Sequence, residues 1–160
     1  MGYIAQALRD LGDFERSVEL YTRSPEIRRG HGWGSGAARA TVHSLGDLSL
    51  DKGDLPAAER YYREALALGL QEEDVRLQAY CFAGLACVAA CDGHATVAGR
   101  LWTHAERLEH KIGFRMVAAE RGRYERNLSP PLSESVEYHA GVVDAVNLDP
   151  LTAAAEVLRS

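Results

Sequence analysis

The chain has 160 residues, of which 46% are hydrophobic and 26% charged, with a formal charge of −5. This composition excludes collagen-like, disulfide-dense and intrinsically disordered chains, and the length suits one globular domain. There are 24 alanines and 19 leucines, against 19 isoleucines, valines and threonines together. Because unbranched side chains lose little rotamer freedom in a helix, the composition predicts an all-α fold.

The bulk properties also narrow the compartment and the partners. No apolar run approaches the ~20 residues that cross a bilayer, and the N-terminus lacks the pattern of a signal peptide. The three cysteines, Cys81, Cys87 and Cys91, share one alanine-rich stretch, unlike a secreted disulfide framework, so we expect them to be reduced. A negative charge without a basic cluster argues against direct binding of nucleic acid. We therefore predict a cytoplasmic protein that contacts neither membrane nor nucleic acid directly.

In chain order, the first 112 residues predict six helices in three pairs. Each pair is joined by a tight turn at a glycine, Gly12, Gly53 or Gly93, and these glycines are 41 and 40 residues apart. Matching positions around each turn carry small residues, and nine residues after it stands a large aromatic, Tyr21, Tyr62 or Trp102. The predicted helices cover about residues 2–11, 14–28, 36–51, 55–69, 73–91 and 94–111.

This arrangement of small and aromatic residues has a packing reason. Antiparallel helices approach closely only where small residues face each other, and one aromatic per unit then fills the space to the next unit. Because one helix pair cannot bury its own apolar face, stacked pairs produce the continuous core. Residues 1–112 are therefore predicted to form a stack of three units, approximately 1–29, 36–69 and 73–112.

The residues after Gly113 no longer follow the repeat. Further helices are predicted over 117–128, ended by Pro130-Pro131, over 133–148, and as a short helix that Asp149-Pro150 begins. The last repeat of a stack would otherwise expose an apolar face. We therefore predict that 113–160 form a helical C-terminal cap within the same domain.

The repeat resembles the tetratricopeptide repeat, with a period lengthened from the usual ~34 residues. More narrowly, it is similar to the C-terminal repeats of large bacterial ATP-dependent regulators, the STAND-type ATPases and LuxR-type activators. The segments that carry this narrower likeness are Leu45-Gly46-Asp47-Leu48, Gly53-Asp54-Leu55 and Tyr62 to Leu68. The resemblance implies an α-α superhelix of about three helix pairs. The ATPase and DNA-binding parts of such regulators are absent from this sequence.

Several polar clusters could suggest chemistry, and each also has a structural interpretation. Gly30, Gly32, Gly34 and Gly36 follow a predicted helix and lack the Gly-Lys-Ser/Thr ending of a phosphate loop, which favours an inter-repeat loop. Trp33 within it is either an anchor between repeats or an exposed contact residue. Cys87, Cys91 and His94 fall short of the four ligands typical of structural zinc sites, so they predict helix packing.

The histidines and arginines also have structural interpretations. His104 and His110 are six residues apart, the wrong period for one helical face, whereas Glu106 and His110 form an ordinary surface pair. Arg121, Arg123 and Arg126 alternate with glutamates and predict a solvated face, a bound anion being the alternative. The sequence therefore predicts no catalytic residues, no metal site and no cofactor.

The resemblance places function on the concave surface, which the first helix of each pair lines. The candidate groove residues are Gln6, Arg9 and Asp10 in the first unit, His43, Asp47, Leu50 and Asp51 in the second, and Ala83, Cys87, Ala90 and Cys91 in the third. An acidic stretch beside a small apolar one suits a peptide with a basic residue next to an apolar one, or a second copy of the chain. The alternative is a face that is solvated or covered by further repeats.

The leading hypothesis is a non-catalytic scaffold that binds a protein or peptide in this groove. The alternative is the sensor or oligomerisation arm of an ATP-dependent bacterial transcriptional regulator. A homo-oligomer is also predicted, because the side of the first unit that carries Ile4, Leu8 and Leu11 lacks cover. An enzyme would need a nucleophile with a base, or a complete metal set, and the sequence shows neither.

Overall fold

The computed structural model describes residues 35–128 and 133–159, with the backbone alone for 35–41, and isolated positions between 7 and 20. The predicted helices over 2–11 and 14–28 lie largely outside these residues, as does the glycine-rich loop around Trp33. The groove candidates Gln6, Arg9 and Asp10 lie outside them as well.

Seven helices make up the continuous described segments, where no strand occurs, so the predicted all-α class is confirmed. They are α1 (Ser35–Asp51), α2 (Leu55–Gln71), α3 (Val75–Cys91), α4 (Ala95–Ile112), α5 (Ala118–Leu128), α6 (Val136–Asn147) and α7 (Pro150–Arg159). The predicted boundaries differ from these by at most three residues. None of the described helices is long and apolar enough to span a bilayer.

Local chemistry sets several of these boundaries. The carboxylate of Asp54 accepts a hydrogen bond from the amide of Ala57, and Asp74 accepts one from Leu77, so each aspartate caps the helix that follows. Gly53 and Gly93 end α1 and α3 with φ angles of 75° and 79°, a conformation that glycine adopts without steric cost.

Consecutive helices α1 to α4 pack against one another, and the aromatic ring of Tyr62 lies at the centre of this stack. A Cβ atom added at Gly46 on α1 would lie 2.7 Å from that ring, and one added at Gly84 on α3 would overlap it. The ring therefore fills the space between the first described pair and the next. The predicted roles of small residues and aromatics are confirmed for this unit.

The three helices that follow the repeats, α5, α6 and α7, pack against different helices of the repeats. Helix α5 packs against α3, whereas α6 packs along α4 and α7 contacts α2 and α4. Gly99 and Gly141 lie where α4 and α6 cross, so close that a Cβ on either would overlap the opposite backbone. Arg107 on α4 donates hydrogen bonds to the carbonyls of Ala145 and Leu148 at the end of α6. That 113–160 form a cap within one domain remains a prediction.

Candidate protein-binding surface

The first helices of the two described pairs, α1 and α3, carry the candidate groove residues of the second and third units. We call the surface they form the concave face, after the groove that the sequence predicts there. His43 is largely covered and Asp47 and Leu50 are buried on α1, Asp51 is exposed at the end of α1, and Cys87 is buried on α3. Helix α5 lies against this face, so part of the predicted groove is already occupied by the chain itself.

Asp47 is the centre of this contact and is only 2% exposed. Its Oδ1 atom accepts hydrogen bonds from the hydroxyls of Tyr62, at 2.9 Å, and Tyr124, at 2.8 Å. Its Oδ2 atom accepts one from the guanidinium of Arg123 at 2.9 Å. A buried carboxylate needs such donors because removal from water strongly disfavours its charge. Adjacent residues of α5 thus supply two of the donors.

His43 extends this network on α1. Its Nε2 atom lies 3.2 Å from the hydroxyl oxygen of Tyr124, and its Nδ1 atom lies 3.7 Å from Oδ2 of Asp47. The single hydroxyl proton of Tyr124 is donated to Asp47, so the bond to His43 requires a proton on Nε2. His43 therefore donates to Tyr124 and orients its hydroxyl towards the carboxylate.

Burial shifts the acidity of the groups around Asp47. It raises the pKa values of Tyr62 and Tyr124 well above the ordinary tyrosine value, and the nearby Asp47 carboxylate raises them further. Burial alone would lower the pKa of Arg123, but Asp47 and its other neighbours, Asp51 among them, together outweigh burial and raise that pKa. Both tyrosines thus remain neutral donors and Arg123 remains a cation, which is the protonation pattern that a buried carboxylate requires.

The interpretation of the α5 arginines as a solvated face is wrong for two of them. Arg123 is 15% exposed and pairs with Asp47, and its guanidinium also lies 3.9 Å from Asp51. Arg121 bonds to Glu106, Glu109 and Glu125 at 2.7–2.8 Å. Only Arg126 is exposed. A helix that is solvated and a helix that docks against acidic residues can carry the same alternating charge pattern. The sequence pattern therefore does not distinguish the two.

The remaining candidates in the second and third units take different positions. Leu50 belongs to the core. The Sγ atom of Cys87 donates a hydrogen bond to the carbonyl of Tyr124 at 3.3 Å, so this thiol lies directly beneath α5. Ala83 is buried, Ala90 is half-buried and Cys91 is exposed.

An aromatic strip continues from the concave face beside α5. The rings of His43 and Tyr80 are 5.6 Å apart, those of Tyr80 and Phe114 are 5.8 Å apart, and the guanidinium of Arg76 lies 4.4 Å from the centre of the Phe114 ring. Tyr80 and Phe114 are half-buried and Arg76 is exposed. Half-exposed aromatics beside a cation are typical of contact surfaces, and the sequence prediction missed this strip.

Within the part of the chain that the structure describes, the cysteines and histidines considered for chemistry differ in exposure. Cys87 is buried whereas Cys91 and His94 are exposed, and His94 pairs with Asp92 at 3.3 Å. His104 is fully buried, and neither of its ring nitrogens has a hydrogen-bond partner among the described residues. Across 35–128 and 133–159, no three histidine, cysteine or acidic side chains are placed to hold a metal ion.

A family model described as Tetratricopeptide repeat matches residues 41–76, which comprise most of α1, all of α2 and the start of α3. The match includes Asp47, Tyr62 and the turn at Gly53. Together with the helical stack, this match supports a tetratricopeptide-like protein. Repeats of that class typically serve as non-catalytic scaffolds for protein–protein interaction. Neither the curated proteins nor the solved structures searched contain a match to the chain.

Proposed function

We propose that the protein is a non-catalytic scaffold that binds a protein partner through its concave face. The observation that supports this most directly is the docking of α5 on that face through Asp47. A surface that already recognises one helix by a buried carboxylate and a small apolar wall has the chemistry to recognise another. The aromatic strip of Tyr80 and Phe114 adds contact area beside it.

Site-specific photo-crosslinking tests which face binds. A benzophenone amino acid is placed at Asp51 on the concave face or at Tyr80 in the adjoining aromatic strip and, as a matched control, at the exposed Glu64 on α2. Irradiation in cells that make the protein is expected to give adducts of higher mass at positions 51 and 80. Adducts at position 64 alone would place the interaction on the other face, and no adduct at any position would contradict a protein-binding role.

A second candidate is the sensor or oligomerisation arm of an ATP-dependent bacterial transcriptional regulator. It is favoured by the similarity of Leu45 to Leu55 and Tyr62 to Leu68 to the repeats of such regulators. An antibody against this segment distinguishes the two on a blot of native lysate. A band near 17.5 kDa would reject the regulator, whereas one several times larger would support it.

Self-association is a further part of the proposal. The exposure of Leu11, at 82%, supports it, because an exposed large apolar side chain favours association. Sedimentation at high concentration is expected to show a dimer or larger species that Leu11→Gln weakens, and a monomer at all concentrations would remove this element. We also propose that the protein acts in the cytoplasm without direct contact with nucleic acid or membrane.

A further inference from the structure

Helix α5 contacts the concave face in a way that another helix could reproduce. Its buried side chains are Tyr124 and Leu128, one helical turn apart, and Arg123 adds the charged contact with Asp47. Most of its other side chains are exposed or half-exposed. Recognition therefore depends on a short pattern, an arginine followed by a tyrosine and, four residues after the tyrosine, a leucine.

The docked helix has little stability of its own. It has 11 residues, a length at which an isolated helix is marginal in water. Gly122 lies in its middle, and a Cβ there would meet only the flexible end of Arg126, at 3.6 Å. Packing therefore does not require this glycine, which weakens a helix by about 1 kcal/mol relative to alanine. Helix α5 is held by its contacts with the face more than by its own propensity.

Charge complementarity indicates what else would fit. The acceptor is a carboxylate buried among the repeats, and the partner that neutralises it is a guanidinium from outside the repeats. We propose that α5 is an internal ligand of the concave face, and that the partner of this face is a helix carrying the same arginine, tyrosine and leucine, which competes with α5. This inference rests on the proposed protein-binding function and specifies its partner.

The thiol of Cys87 reports whether the face is covered, because it lies beneath α5 and bonds to Tyr124. The test uses the full chain with Cys91→Ala, so that the remaining thiols are Cys87 and the fully buried Cys81. The double variant Arg123→Gln with Tyr124→Phe weakens docking while nearly conserving side-chain volume. Arg126→Ala, on the exposed side of the same helix, is the matched control.

Alkylation by a maleimide, followed by mass spectrometry, is expected to modify Cys87 about tenfold faster in the double variant than in the parent or the Arg126→Ala control. Cys81 should stay unmodified. A synthetic helix with the sequence of residues 118–128 should then protect Cys87 again, and bind the double variant about tenfold more tightly than the parent, because α5 no longer competes for the face. A peptide with glutamine and phenylalanine at the two positions should not protect.

Three results would overturn the inference: an unchanged Cys87 rate in the double variant, a loss of Cys81 protection together with Cys87, or failure of the peptide to restore protection. In the second case, α5 would be an integral part of the core. Photo-crosslinks at positions 51 and 80 would still support a concave binding face if the peptide fails. Crosslinks at position 64 alone would reject that face whatever the peptide does, so the two proposals fail separately.

Discussion

The hydroxyl of Tyr124 donates a hydrogen bond to the carboxylate of Asp47 across 77 positions of the sequence, and both side chains are buried. This bond joins a helix outside the repeats to the first helix of a repeat. It connects the stability of the chain to the occupancy of its concave face.

Tyr124→Phe should lower the free energy of unfolding by about 1.5–3 kcal/mol, because it removes a hydrogen bond to a buried charged group while keeping the ring. Tyr61→Phe on α2 is the matched control, and its effect should stay within about 0.5 kcal/mol. Urea unfolding followed by circular dichroism measures both. Equal effects of the two substitutions would show that the hydrogen bond from Tyr124 adds no more to the free energy of unfolding than the hydroxyl of Tyr61 does.

Alanine should have opposite effects at two helical glycines. At Gly84 the new Cβ would overlap the ring of Tyr62, which Gly46 confines from its other side, so Gly84→Ala should destabilise the chain by about 2 kcal/mol. At Gly122 there is room, and Gly122→Ala should stabilise it by up to about 1 kcal/mol. Thermal unfolding of the two variants compares them directly. Stabilisation by Gly84→Ala would contradict the observed packing of Tyr62.

His104 should make the chain less stable in mild acid. Burial, together with the positive charges of Arg107 and Arg100, lowers its pKa to about 4. Between pH 6.5 and 4 the unfolded chain therefore binds a proton that the folded chain does not, so stability falls as the pH falls. His104→Leu should remove this loss, which amounts to no more than about 1.4 kcal/mol per pH unit.

Urea unfolding of the parent chain and of His104→Leu, each at pH 7 and pH 5, measures this difference. The variant should gain most over the parent at pH 5. It should also gain at pH 7, because a buried imidazole without hydrogen bonds is replaced by a side chain that needs none. Parallel changes of stability with pH in the two proteins would contradict the assignment to His104.

The three cysteines should differ in reactivity. Burial raises the pKa values of all three thiols, but only Cys91 is exposed. Because alkylation requires an accessible thiolate, iodoacetamide should modify Cys91 first in the native protein, Cys87 more slowly as α5 detaches, and Cys81 only on unfolding. Peptide mapping by mass spectrometry identifies the order. Early modification of Cys81 would contradict its position in the core.

The sequence predicted the helices well because their signals are local. Asp54 with Pro56, and Asp149 with Pro150, mark helix starts, and the glycines at 53 and 93 mark turns whose conformation favours glycine. The packing of Tyr62 could also be predicted, because its position recurs nine residues after each turn glycine. The helix starts, the glycine turns and the aromatic position depend on spacing within one repeat. The chain contains several repeats in which this spacing can be compared.

The concave face was harder to predict because its chemistry is not local. Asp47 is among the predicted groove residues, but the sequence gives no sign that Arg123 and Tyr124, 76 and 77 positions away, would meet it. Tyr62 was assigned a packing role, whereas its hydroxyl also bonds to the same carboxylate. Helix α5 lies after the repeats and has no equivalent in the other units. Its docking position therefore cannot be inferred by comparing repeats.

The position of Tyr62 also bears on how the chain unfolds. In a simple solenoid each unit contacts only its neighbours, and units can unfold separately from an end. Here one ring is enclosed by glycines from both described pairs, and its hydroxyl shares an acceptor with a helix that follows the last pair. Unfolding either pair therefore removes the support of the other. Residues 35–128 are expected to unfold in one cooperative transition, with coincident changes in circular dichroism and tryptophan fluorescence.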